Sequence, residues 1–212
     1  MEMVLLSDPE VVAIPLRESG QPLVDLRDWA PLRLDGRLAD PAGAYAHLRA
    51  ELVARLVTAQ TLLPSGVELL VVEGYRPLRL QTSYFEEHVD LLRARLPGTP
   101  ASTLRRMASR YIAPPELAPH VAGAAVDLTL STVDGDELWL GSAVNDTDTT
   151  ACHTDSADLG EEARANRDLL VGALRRVGLV NYPSEWWHWS YGDRYWARAT
   201  GAEHAIYGPV EL

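Results

Sequence analysis

VELLVVEGYRP, residues 67–77, decides how the rest of the chain is read. Val67–Val72 is apolar on both faces, too short for a helix and preceded by Pro64 and Gly66. That is the pattern of a strand buried on both sides. It delivers the chain to Glu73-Gly74-Tyr75-Arg76-Pro77, a turn at a strand end that carries one acid and one guanidinium.

Working outward, the residues before this strand predict a helix over about 41–62. Asp40 is placed to cap it and Pro41 fits its first position, where the missing N–H has no partner to lose. Leu48, Leu52, Leu56, Ala59 and Leu63 recur every three or four residues, a stripe for the core. Residues 1–40 read as short strands and turns. After the strand, Leu80–Leu96 and Ser102–Tyr111 predict helices separated by the Pro97-Gly98 break. Ala124–Leu130 predicts a second strand, and Gly135 a hairpin turn into Glu137–Leu140. Residues 141–159 form a polar, aperiodic loop with Asp146, Asp148, Cys152, His153 and Asp155, long enough to suggest a function. Leu159–Val177 predicts the last long helix, with Gly178 as its C-cap. Helices segregated from a few strands give an α+β class: one compact domain over 1–212, with a small, mostly antiparallel sheet flanked by helices. No fixed period repeats, and the strand order does not follow from the pattern.

Composition narrows the function. With 47% hydrophobic residues among 212, the chain can build a core. Nineteen basic against 30 acidic side chains give a formal charge of −11, which argues against a nucleic-acid partner or an anionic membrane surface. Cys152 is the only cysteine, so neither an internal disulfide nor a Cys-rich zinc finger is available. The beginning, MEMVLLSDPEVVAIPL, lacks the pattern of a secretory signal, and no apolar run approaches a membrane span. A cytoplasmic location is the default expectation, and a homo-oligomer stays open.

Three segments carry candidate chemistry. In His120-Val-Ala-Gly-Ala-Ala-Val-Asp127 the strand alternation places Ala125, Asp127 and Thr129 on one face and Val126, Leu128 and Leu130 on the other. Gly123 permits a bend that returns His120 over the strand end towards Asp127. The alternative is a turn histidine and a carboxylate satisfied by backbone N–H groups. In Pro183-Ser-Glu-Trp-Trp-His-Trp189 the indoles need no explanation beyond a core. Glu185 and His188 among them need a partner: either a cation pairs with Glu185, or His188 binds a metal while Glu185 handles the proton of a water. Arg76 offers five donors for a carboxylate or a developing oxyanion; the alternative is an ion pair with Glu73.

Taken together, Glu-Gly-Tyr-Arg-Pro at 73–77, His-x-x-Gly-x-Ala-x-Asp-Leu-Thr at 120–129 and Glu-Trp-Trp-His at 185–188, followed by Trp-Ser-Tyr-Gly-Asp-Arg-Tyr-Trp through 196, resemble the D-alanyl-D-alanine dipeptidase family. These are zinc enzymes known from vancomycin resistance and its relatives, akin to zinc D,D-carboxypeptidases. The resemblance runs from about Asp25 to the C-terminus. It implies one zinc per chain at strand ends, held by His120, Asp127 and His188, with Glu185 as catalytic base and Arg76 stabilising the transition state. It implies hydrolysis of a small D,D-dipeptide, D-alanyl-D-alanine, by a metal-activated water. A D,D-carboxypeptidase or small muropeptide hydrolase is the alternative, followed by a non-catalytic zinc-containing binding module. The sequence departs from the family at Ala118-Pro119, where a serine commonly precedes the first ligand histidine, at Gly141–Asn145, and at Asp28. These departures fall where substrate recognition is expected and spare the metal and the base.

Overall fold

The computed structural model describes residues 4–28 and 32–212. The expectation of strands and turns over 1–40 therefore falls outside the described residues at 1–3 and 29–31. A short helix, α1 (Pro9–Val12), stands where only strands and turns were expected.

Two sheets form. β1 (Leu23–Asp25) and β3 (His47–Arg49) make an antiparallel ribbon. The larger sheet runs in the order β2 (Arg33–Leu34), β4 (Val67–Glu73), β5 (Ala125–Thr132), β7 (His188–Ser190) and β6 (Val180–Asn181). Only β2 lies parallel to its neighbour; the other pairs are antiparallel. The α+β class and the small, mostly antiparallel sheet are as the sequence predicts.

The helix expected from 41 begins nine residues later. Asp40 does cap, but it caps a turn: its carboxylate accepts from the Ala42 N–H at 2.9 Å and the Tyr45 N–H at 3.0 Å. The chain then makes one 3-10 turn and the β3 strand before α2 (Ala50–Gln60) starts. Leu48 leaves its strand into the same core as Leu52 and Leu56, so the apolar spacing continued across two different elements. Each of these fully buried leucines contributes about 1.5–3 kcal/mol.

α3 (Leu78–Arg95), α4 (Ala101–Ala108) and α5 (Glu161–Arg176) sit close to their predicted ranges. Gly178 ends α5 with φ 82°: its N–H reaches the Arg175 carbonyl while the Leu179 N–H reaches Leu174, the paired bonds of a left-handed helix stop. The hairpin turn at Gly135 forms, but its second arm does not: Glu137–Leu140 makes one bridge, Ser131 with Glu137, instead of a strand. Three residues on, the Leu140 carbonyl turns to Arg167, accepting from its Nε at 2.6 Å.

Val126, Leu128 and Leu130 of β5 pack with Leu69 and Val71 of β4 and with α2 and α5 residues, including Leu52, Leu56, Leu170 and Leu174, in the main core. The alternate β5 face carries Ala125, Asp127 and Thr129, all buried. Register positions the site. β4 and β5 are out of step by one residue between Val71 and Glu73, a bulge that sets Glu73 opposite Asp127 where Val72 would otherwise stand. Across the other edge Asp127 pairs with His188. Three polar side chains thus align across three strands.

Candidate active site

His120 reaches the same point from outside the sheet. It lies in a 3-10 turn, Pro119–Ala122, that Gly123 closes with φ 62°. A Cβ at Gly123 would fall 2.2 Å from the Leu23 side chain, so the bend requires glycine. His120 Nε2 lies 3.1 Å from His188 Nδ1 and 3.3 Å from Asp127 Oδ1, and His188 Nδ1 lies 3.0 Å from that same oxygen. All three side chains are buried.

The trio fits a metal ion. His120 Nδ1 lies 2.7 Å from the Gly74 carbonyl, which can only accept, so in the neutral ring the proton sits there and Nε2 presents its lone pair. Three atoms within 3.3 Å of one another, at least two of them lone-pair donors, cannot all be satisfied by one shared proton. Around a tetrahedral zinc with bonds of about 2.0–2.1 Å, neighbouring ligand atoms lie roughly 3.3–3.4 Å apart, close to the spacing found. Burial works to raise the Asp127 carboxyl, but the His120 and His188 imidazoles outweigh it and hold it well below the usual range. Burial likewise works to lower His120, and the Asp127 carboxylate reverses it.

Glu185 stands in the turn between β6 and β7. Its N–H donates to the Tyr182 carbonyl at 2.9 Å, and its own carbonyl accepts from the His188 N–H and the Asn181 side-chain amide. Its side chain lines the cavity and is partly buried. Loss of solvent pushes its carboxyl up to about 7, with His188 and Arg76 pulling it down and Asp127 adding to the rise. The expected indole setting is present: Trp186, Trp187 and Trp189 are buried, with the first two rings edge to face at 5.5 Å. Trp186 Nε1 donates to Ser142 Oγ at 2.9 Å and Trp189 Nε1 to the Trp186 carbonyl at 2.9 Å.

The ion-pair reading of Arg76 is the one the contacts display, and the same side chain lines the cavity. Its Nε donates to Glu73 Oε1 at 2.8 Å and its Nη2 to Glu73 Oε2, a bidentate ion pair. It also lines the cavity shared by His120, Asp127, Glu185 and His188. Burial opposes its charge, yet Glu73 and then Asp127 more than compensate and raise its pKa. A third donor, Nη1, goes to Gln81 Oε1 at 2.7 Å, leaving two of five without a partner among the described residues.

Gln81 was not singled out from the sequence. It is fully buried and anchored in turn by Nε2 to the Ala113 carbonyl at 2.7 Å. The signal was there: Gln81, Phe85 and Val89 form the buried stripe of α3, and a polar residue interrupts it. Arg167 was missed in the same way on α5, whose buried residues are Ala163, Arg167, Leu170, Ala173 and Leu174. Arg167 donates to the carbonyls of Leu140, Ala151, His153 and Thr154, and so holds the long loop that was expected to lie near substrate. From that loop Asn145 and Thr147 line the cavity, whereas Asp146 and His153 do not.

The cavity has a volume of about 530 Å³. It opens past Tyr84, Leu91 and Tyr111, whose side chains are exposed.

Comparison with known proteins identifies the family. A family model described as D-ala-D-ala dipeptidase, peptidase M15, matches residues 36–205. The chain is 30% identical to a D-alanyl-D-alanine dipeptidase of Synechocystis sp., over 94% of this chain and 96% of that one. It is 29% identical to the enzyme of the same name from Enterococcus faecium, over 68% of this chain and 72% of the relative. Among solved structures, the LdcB LD-carboxypeptidase shares the fold at a TM-score of 0.50 and 18% identity, covering 87% of this chain and 75% of that one. The matched segment holds the whole His120, Asp127, His188, Glu185 and Arg76 constellation, and the chain belongs to the peptidase M15 family of D-ala-D-ala dipeptidases.

Proposed function

We propose that this chain is a zinc-dependent dipeptidase that hydrolyses D-alanyl-D-alanine, with His120, Asp127 and His188 holding the metal. The observation that carries the reading is the convergence of three ligand atoms within 3.3 Å of one another, beside a carboxyl raised to about 7 and an arginine with unused donors, in one cavity. Zinc bound there supplies a Lewis acid that polarises a carbonyl and acidifies water.

The chain's own residues do the rest. Glu185 takes up the proton of the attacking water and passes it to the departing amine, and a pKa near neutrality suits both tasks. Arg76 presents its two uncommitted donors to the oxygen that gains negative charge, a contribution of about 3–4 kcal/mol. Glu73 and Gln81 fix the guanidinium plane, so the donors need no reorganisation as charge develops. The buried Trp186 and Trp187 keep bulk water from Glu185.

Glu185→Gln tests the reading. The amide is nearly isosteric but takes up no proton, so zinc content should stay at one per chain while kcat falls by about 10³. His120→Ala, Asp127→Ala and His188→Ala should each lose the metal. Wild-type turnover in Glu185→Gln, or full zinc retention in all three ligand variants, would reject the assignment. A D,D-carboxypeptidase acting on longer peptides is the second reading, favoured by the size and open mouth of the cavity. Faster cleavage of N-acetyl-D-Ala-D-Ala than of D-Ala-D-Ala would select it.

A further inference from the structure

The cavity extends well past the residues that do the chemistry. Tyr84, Glu87, His88 and Leu91 line it from α3 at spacings of three and four, which is one face of the helix and not the core stripe of Gln81, Phe85 and Val89. Tyr111 and Ile112 after α4 line it too, with Leu6 and Leu38 from the N-terminal segments. The outward face of a helix is ordinarily polar, yet Tyr84 and Leu91 remain 39% and 44% exposed here, and Tyr111 37%. Continuity with the reacting end is direct: the Arg76 guanidinium lies 5.2 Å from the centre of the Tyr84 ring. At the near edge Ala118 and Pro119 add two further side chains without a polar group.

D-Ala-D-Ala has only two methyl side chains to set against this wall. A volume of about 530 Å³ falls in the range of pockets for much larger ligands, roughly 300–1,000 Å³. A longer peptide would also fill the volume, but along Tyr84, Leu91, Tyr111 and Ile112 its amides would face apolar surface, with Glu87 and His88 the polar side chains between Tyr84 and Leu91 on α3. Ser109, a polar group at that end, is already bonded to Ser7 Oγ and the Arg106 carbonyl. Burial of His88 lowers its pKa, with Arg95 adding to the effect, so it meets an apolar group in the neutral form.

We propose that the wall formed by Tyr84, Leu91, Tyr111 and Ile112 is a subsite for one large apolar side chain, making the preferred substrate a D,D-dipeptide with one aromatic or branched aliphatic residue. This rests on the dipeptidase reading and specifies its substrate class.

The test compares kcat/KM of the zinc-loaded enzyme for D-Ala-D-Ala, D-Ala-D-Phe, D-Phe-D-Ala and N-acetyl-D-Ala-D-Ala, together with the Kd of each dipeptide for Glu185→Gln. One of the two phenylalanine dipeptides should exceed D-Ala-D-Ala by about 10-fold or more in both measures. Leu91→Asp, a change at an exposed rim position, should lower the ratio of that substrate to D-Ala-D-Ala at least threefold. If D-Ala-D-Ala matches or exceeds both phenylalanine dipeptides, or if Leu91→Asp leaves the ratio intact, the subsite is overturned while the dipeptidase reading stands. Preference for the acetylated substrate overturns the subsite in favour of a peptide groove. Failure to cleave any free dipeptide overturns both.

Discussion

Arg76 and Arg167 are both withdrawn from solvent, and they are held in opposite ways. Arg76 is matched by a carboxylate, Glu73, lines the cavity, and keeps two donors without a partner among the described residues. Arg167 has no carboxylate partner among the described residues; four backbone carbonyls take its donors and its guanidinium lies 5.4 Å from the Trp186 ring centre. Burial lowers Arg167 to about 10, still charged at neutral pH, whereas the Glu73 pairing drives Arg76 upward. The contrast separates two uses of one side chain. A guanidinium whose charge is balanced and whose donors are partly free is available to a reacting group. One whose donors all but close on backbone is a fastener.

Arg76→Lys should break the first use. An ammonium keeps the charge but lacks the planar fork that engages Glu73 and Gln81 while facing the cavity, so kcat should fall by about 10²–10³ with little change in thermal midpoint. An unchanged kcat/KM would reduce Arg76 to its ion pair. Arg167→Met should break the second. Four carbonyls lose their donor, while the cost of burying a charge is also removed, so the net destabilisation should be about 3 kcal/mol by urea unfolding. Because Cys152 and Thr154 of the same loop are bonded to Trp186 and Pro183 beside Glu185, activity should fall roughly tenfold even where the fold is intact. Full activity at unchanged stability would detach the loop from the site.

A third variant sharpens the comparison by taking a partly buried ionisable group with no hydrogen-bonded ion partner among the described residues. In metal-free protein Glu185 is raised from 4.5 to about 7. Its neutral form is the one the fold favours, so no penalty exists below pH 4.5, where folded and unfolded chains are both protonated. Between about pH 4.5 and 7 the unfolded chain ionises first and stability falls; above 7 the loss is constant, on the order of 2–3 kcal/mol. Chelator-treated Glu185→Gln should therefore be more stable than chelator-treated wild type at pH 8 and equal to it at pH 4. Equal stability at both values would place Glu185 in solvent.

What was legible in the sequence follows from these arrangements. Strand β4 announced itself as a continuous apolar run and β5 by its alternation of Val126, Leu128 and Leu130 with Ala125, Asp127 and Thr129, and the five candidate site residues were singled out through motifs that bracket them. The juxtaposition of Glu73 with Asp127 was not legible, since it depends on a one-residue bulge that leaves no mark in residue type. The late start of α2 was hidden because Leu48 serves the core from a strand with the spacing of a helix. Gln81 and Arg167 were in plain view as polar residues interrupting apolar helical stripes. Each holds other groups in place without touching a reacting atom, and no motif flags that kind of position. An interrupted stripe is itself the signal for such residues.

The smallest expected effect comes from Cys152, which lies in the loop that Arg167 fastens. Its side chain is buried in the main core, and burial raises its thiol pKa, with Glu185 adding to the rise. It is absent from the His120, Asp127 and His188 group, whose three ligand atoms already complete a set for zinc with one open position. What the site takes from this residue is backbone: its carbonyl accepts from the Trp186 N–H at 2.9 Å, and the neighbouring carbonyls of Ala151 and His153 accept from Arg167. If the loop is held by its main chain, the side chain matters only as packing volume. Cys152→Ala should then cost about 1 kcal/mol of stability, with zinc content and kcat within twofold of wild type. Loss of the metal would make the thiol a ligand, and a loss of activity matching that of Arg167→Met would show that the loop depends on its core side chain as much as on its carbonyls.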